Sequence, residues 1–242
     1  MYNNGFRYTK CDINSKISII FLGCSLTFGH GVSDDQTLPY YFSEKYDFKY
    51  NIVNFAIGGA GTNLAFNIIN SSDIINKFVK KESEIKYFIY TIIDDHIERN
   101  FRTSSFNFAE DNYKLTDDKF SRPYEPFGFL KVIFKNSYIF NKCFLHIINE
   151  KNKEFHEQYL VDTVLEMKGI VKDKYNAELI IVLWPNVRTN IVNKLKDQRL
   201  NIIELDKKFE NEEYKIKNDG HPNAKANKEI ARILFDYINN KS

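Results

Sequence analysis

The sequence predicts an α/β domain of three layers, α/β/α, built on about five mostly parallel strands. Short β-branched and aromatic runs alternate with longer stretches of helical periodicity, the order of successive βαβ units. Two of the runs, Tyr87–Ile93 and Leu179–Leu183, are nearly unbroken apolar segments, as strands buried on both faces must be. The chain has 242 residues with 43% hydrophobic side chains, enough for one sizeable core, so residues 1–242 are read as a single domain.

The first strand, Ser18–Leu22, stops at Gly23 and gives way to the small residues Cys24 and Ser25. The second, Ile52–Phe55, leads into the glycine-rich stretch Gly58, Gly59, Gly61 and a helix expected from about Thr62 to Lys80. The third ends on Asp94-Asp95-His96. From about His96 to Glu154 the pattern breaks into an aromatic, charged stretch centred on Arg122-Pro123-Tyr124-Glu125-Pro126, with a more helical part after Lys135. This stretch reads as an insertion forming a lid or substrate wall, or an extra structural subdomain. Leu160, Val164, Met167 and Val171 place a helix near 157–175, weakened by Gly169. The strands Leu179–Leu183 and Ile202–Leu205 come next. The last helix carries the stripe Ile230, Ile233, Leu234, Tyr237, Ile238, and Pro222 suits its first turn.

Composition excludes several functions. The formal charge is +2 and the lysines are scattered, so neither nucleic acid nor an anionic membrane is expected as a partner. No apolar run approaches transmembrane length, and Ile17–Leu22 is too short and too far in for a signal-peptide core. Cys11, Cys24 and Cys143 form no CxxC pair, which points to reduced thiols in a cytoplasmic protein. No GxGxxG or GxxxxGK[ST] loop occurs, and Asp94, Asp95 and His96 would need a further metal ligand from elsewhere. Neither cofactor nor metal is expected.

The residues that can carry chemistry lie near opposite ends of the chain. A hydroxyl at the carboxyl end of a central parallel strand faces the crevice where open α/β sheets bind ligands, and Ser25 has that position. Serine needs a base within hydrogen-bond reach, itself oriented by a third group. Asn218-Asp219-Gly220-His221-Pro222-Asn223 supplies an imidazole and a carboxylate in a loop that opens the final helix. Taken singly, Ser25 could be a helix cap and His221 a solvated loop residue, but neither explains both motifs together. Cys24 reads as a small core residue. His30, Arg122 and Trp184 are candidate pocket residues.

Gly23-Cys-Ser-Leu-Thr-Phe-Gly29 resembles the first block of the SGNH (GDSL-type) hydrolases, and Asp219-Gly-His-Pro-Asn223 resembles their last. Asn54-Phe-Ala-Ile-Gly-Gly59 is similar to the second. Asn4-Gly-Phe-Arg7 and Gly29-His-Gly-Val-Ser-Asp-Asp35 look like flanks found in SGNH proteins of bacterial polysaccharide loci. The resemblance covers the core outside 96–154. It implies a flavodoxin-like fold and a serine esterase in which Ser25 is the nucleophile, His221 the base and Asp219 the orienting acid. The backbone N–H groups of Ser25 and Gly59 would form the oxyanion hole. It further implies a carbohydrate O-acetyl ester, or another small-molecule ester, as substrate. An O-acyltransferase using the same triad and a non-catalytic binding module of the same fold are the alternatives.

The chain departs from that pattern at three positions. Cys24 replaces the aspartate beside the nucleophile, and Asp219 stands two residues before the histidine, where three is usual. Asp94 occupies the place of the asparagine that donates the third oxyanion hydrogen bond. An ionised carboxylate cannot donate, so Asp94 must be protonated, displaced or engaged elsewhere.

Overall fold

The computed structural model describes residues 6–100 and 145–241, with side chains from 152 onward in the second segment. Five strands, β1 (Ile17–Leu22), β2 (Asn51–Asn54), β3 (Glu84–Ile92), β4 (Glu178–Leu183) and β5 (Asn201–Glu204), form one sheet. Their order is β2-β1-β3-β4-β5 and every pairing is parallel. The winding direction reverses between β1 and β3, and this is where a doubly wound sheet opens a crevice at its carboxyl edge.

Strand alternation sends β1 side chains to two cores. Ile20 and Leu22 pack with α3 (Thr62–Asn70), α6 (Leu145–Tyr175) and α7 (Thr189–Lys196). Ile19 and Phe21 pack with α2 (Leu38–Lys45) and α8 (Ala224–Asn239) on the other face. The expected three-layer α/β/α arrangement is present. The short helices α1 (Ser25–Phe28), α4 (Ser72–Ile75) and α5 (His96–Arg99) lie in connections after strands or helices.

Several boundaries differ from the sequence reading. The helix expected over Thr62–Lys80 breaks at Ser71, whose backbone is extended and whose Oγ accepts from Ile74 N at 3.4 Å. Serine and asparagine side chains compete for backbone donors, and the Asn70-Ser71-Ser72 run starts a new helix instead of extending the first. The helix expected near 157 begins at Leu145, inside the expected insertion. The charged run Glu150-Lys-Asn-Lys-Glu154 hides it, because it carries no apolar stripe. α6 runs unbroken through Gly169, which as an interior glycine lowers helix propensity without ending the helix. Pro222 is not in the first turn of α8: Asn223 caps that helix by accepting from Ala226 N at 3.1 Å, and Pro222 precedes the cap. The centre of the expected lid, with Arg122, and Cys143 lie outside the described residues. No described helix is long and apolar enough to cross a membrane.

Candidate active site

The carboxyl end of β1 turns sharply. Gly23 has φ +151°, and a Cβ there would lie 2.5 Å from Thr27 Oγ1, so only glycine fits. Cys24 is extended and fully buried, and burial pushes its thiol pKa up, as befits a core residue and not a nucleophile. Ser25 then opens the single turn of α1, half-buried at the crevice.

Arg7 anchors the chain beyond α1. Its guanidinium donates to the carbonyls of Phe28 (3.2 Å), Gly29 and Val32 (2.6 Å), and its Nε to Asp34 at 2.7 Å. These are the orphan carbonyls at the end of α1 and in the next loop, which no helix bond can satisfy. The two sequence flanks around Arg7 and Gly29–Asp35 are therefore one structural unit.

His221 comes from the opposite side, on a loop shaped by Asn218 (φ +62°) and Gly220 (φ +85°) and closed by Ile216 N donating to His221 O at 2.7 Å. Its Nε2 lies 2.8 Å from Ser25 Oγ, and its Nδ1 is hydrogen-bonded to Asp219 Oδ1. A carboxylate can only accept, so Nδ1 carries the proton and Nε2 is left to accept from the serine hydroxyl. The bond from His221 holds the Asp219 carboxyl below its usual range. Asp219 thus reaches the imidazole from two residues away, because the left-handed residues on either side of it tighten the loop. The ring of His30 lies 4.8 Å from that of His221, so the pocket candidate His30 borders the site.

The second loop is tied to the first. Asn54 is fully buried, donates to Thr27 O at 3.2 Å and accepts from Ala56 N at 3.1 Å, while Ile57 N donates to Gly23 O at 3.2 Å. Gly59 comes two residues later with φ +78°. Among the described residues no backbone carbonyl accepts from the N–H of Ser25 or Gly59.

Asp94 is engaged elsewhere. Its carboxylate accepts from the backbone N–H and the Nε of Arg188, each at 3.2 Å. Arg188 also reaches the buried Glu157 at 3.3 Å and Glu98 at 3.9 Å. Asp95 pairs with Arg99 at 2.8 Å, and His96 is buried against Tyr90, its Nδ1 3.0 Å from the phenol oxygen. The three polar residues that follow β3 go to three separate partners, and no described residues form a metal-ligand cluster.

Trp184 packs on Phe209, and its Nε1 donates to Glu210 at 2.5 Å. It also lines a small apolar pocket with Leu26, Thr27, Thr91 and Pro222, the neighbours of Ser25 and His221 among them. Sequence reasoning missed the partners of Arg7, Arg99 and Arg188. Only Arg7 left a signal, as part of a flanking motif.

No family model and no curated protein matches this chain. Solved structures do. A psychrotrophic esterase, EstA, from Pseudoalteromonas sp. is 13% identical with a TM-score of 0.54, over 92% of this chain and 97% of that one. A GDSL-like lipase from Bacteroides thetaiotaomicron VPI-5482 is 10% identical with a TM-score of 0.50, over 94% and 90%. A two-domain esterase active on acetylated mannans, co-crystallised with mannopentaose, is 13% identical with a TM-score of 0.52, over 93% of this chain and 50% of that one. The sheet, its order and its helical layers are thus the fold of the GDSL and SGNH-type esterases and lipases.

Proposed function

We propose that this protein is a serine esterase that hydrolyses an O-acetyl ester on a carbohydrate through an acyl-enzyme. The observation that carries the reading is the continuous chain from Ser25 Oγ through His221 to Asp219, spanning 196 residues of sequence.

In this reading His221 Nε2 takes the Ser25 proton as Oγ forms a bond to the ester carbonyl carbon, and the carbonyl π pair moves onto oxygen. The N–H groups of Ser25 and Gly59 receive that oxyanion. Collapse breaks the bond to the alcohol oxygen, which leaves with the proton from His221. Water, deprotonated by the same imidazole, then attacks the acyl carbon and releases the acid and Ser25. The carboxylate of Asp219 stabilises the imidazolium at both stages.

The carbohydrate alcohol is supported by a structural neighbour that acts on acetylated mannans, together with the sequence flanks around Arg7. The test is turnover of aryl acetates and of acetylated oligosaccharides by wild type, Ser25→Ala and His221→Ala. Equal rates in all three would overturn the reading. Release of free acetate distinguishes hydrolysis from transfer to a sugar acceptor.

A further inference from the structure

The base of the proposed reaction stands on an open loop, where the side chains of His221 and Asp219 are 24% and 32% exposed. Hydrogen bonds hold the imidazole at both nitrogens, from Nδ1 to Asp219 and from Ser25 Oγ to Nε2 at 2.8 Å. Both bonds are directional in the ring plane, so they weaken as the ring rolls about its Cβ–Cγ bond.

His30 supplies a contact of another kind. Its ring centroid is 4.8 Å from that of His221, with the two planes 48° apart. Rings at that separation touch, and a touching ring opposes the roll. His30 is itself exposed, so core packing does not account for its place.

The backbone on either side accounts for it. His30 N donates to Ser25 O at 3.0 Å, closing the single turn of α1 that the nucleophile opens. Gly29 and Gly31 flank it with φ +84° and +79°. The buried guanidinium of Arg7 holds the carbonyls of Gly29 and Val32. A Cβ on Gly31 would lie 2.6 Å from Ile216 Cδ1 and 3.8 Å from Asp219 Oδ2, so the His30 loop rests on the loop that carries the acid and the base. His30 is therefore joined to the nucleophile through its backbone and to the base through its ring.

We propose that His30 is a positioning residue of the catalytic base: its ring packs against the His221 imidazole and keeps Nε2 aligned with Ser25 Oγ while the proton moves. This rests on the esterase reading, with Ser25 as nucleophile and His221 as base. A small misplacement of a reacting group is costly in rate, and a side chain that touches the base without bonding it changes its alignment and not its chemistry.

The experiment compares wild type with His30→Ala, His30→Gln and His30→Phe, measuring kcat and KM on an aryl acetate, the rate of fluorophosphonate labelling of Ser25, and the urea midpoint. His30→Ala and His30→Gln, which remove the ring, are expected to lose about 5- to 10-fold in kcat with KM nearly unchanged. Labelling slows by a similar factor, since it too needs His221 to take the Ser25 proton. His30→Phe, which keeps a ring without its nitrogens, recovers most of the loss. A folded His30→Ala with wild-type kcat overturns the proposal and leaves the esterase reading standing. So does an equal loss in all three variants, which assigns the effect to the ring nitrogens. A rise in KM at constant kcat, the mark of a substrate contact, overturns it as well, as does a loss that only tracks the folded fraction. If His30→Ala does not fold, the other two decide: His30→Gln several-fold below His30→Phe in kcat supports the proposal, and equal values overturn it. A wild type without Ser25-dependent turnover overturns both readings.

Discussion

Arg188 grips Asp94 from two directions, with its backbone N–H and its Nε, each 3.2 Å from a carboxylate oxygen. The same guanidinium neutralises Glu157, whose side chain is 5% exposed. Removing Asp94 and removing Arg188 are therefore unequal changes. Asp94→Asn keeps an acceptor for the backbone N–H and should cost about 1 kcal/mol. Arg188→Met strands the buried Glu157 with only Asn190 to bond it among the described residues, and should cost about 3 kcal/mol. Urea unfolding at pH 7 measures both. Asp94→Asn should not raise esterase turnover, because its side chain stays directed at Arg188.

Asp219 fixes the tautomer of His221. Asp219→Asn presents an amide that can donate to Nδ1, which places the imidazole proton on Nε2 and removes the acceptor that Ser25 needs. Turnover should fall by about 10³- to 10⁴-fold with KM little changed. Steady-state kinetics on an aryl acetate, with circular dichroism to confirm folding, checks this. Activity above about a tenth of wild type would count against the triad.

Arg7 satisfies three loop carbonyls at once and is almost fully buried. Arg7→Met leaves the Phe28 and Val32 carbonyls without that donor, leaves Gly29 O only the N–H of Val32 at 3.4 Å, and frees the loop that carries His30 beside His221. The expected cost is about 3 kcal/mol in urea unfolding. Turnover should fall more than the folded fraction does, since the end of α1 loses its anchor.

His96 makes stability depend on pH. Burial lowers its pKa from 6.5 to about 3. Tyr90 donates to Thr62, so His96 Nδ1–H donates to the phenol oxygen and Nε2 remains a buried lone pair without a partner among the described residues. The folded protein thus stays unprotonated there while the unfolded chain takes up a proton below pH 6.5. Stability should fall as pH drops from 6.5 towards 3, at up to about 1.4 kcal/mol per pH unit, and show no contribution above 6.5. In His96→Phe, which keeps a ring against Tyr90, that part of the slope should vanish. Urea midpoints for both proteins across the acid range below neutrality give the comparison, and equal slopes would remove His96 as the cause.

Local sequence was sufficient to mark which segments become strands and which residues could carry chemistry. Tyr87–Ile93 and Leu179–Leu183 are legible because burial on both faces demands unbroken apolar side chains, a property of each segment alone. Ser25 and His221 are legible because each sits in a short turn whose glycines, Gly23 and Gly220, the backbone geometry requires. Even the break after α3 at Ser71 lay in local capping chemistry, and it was hidden only by the stronger apolar stripe around it.

The strand order, the distance from Ser25 to His221, and the partners of Arg7, of Arg99 and of Arg188, which holds Asp94, exist only in the folded chain. These contacts join residues far apart in sequence, 94 positions for Arg188 and Asp94 and 196 for Ser25 and His221. An arginine looks the same in sequence whether it ends in solvent or beneath a loop. What it touches is set by the winding of the sheet, which brings the ends of β1, β2, β3 and β4 to one edge, and no local pattern encodes that meeting.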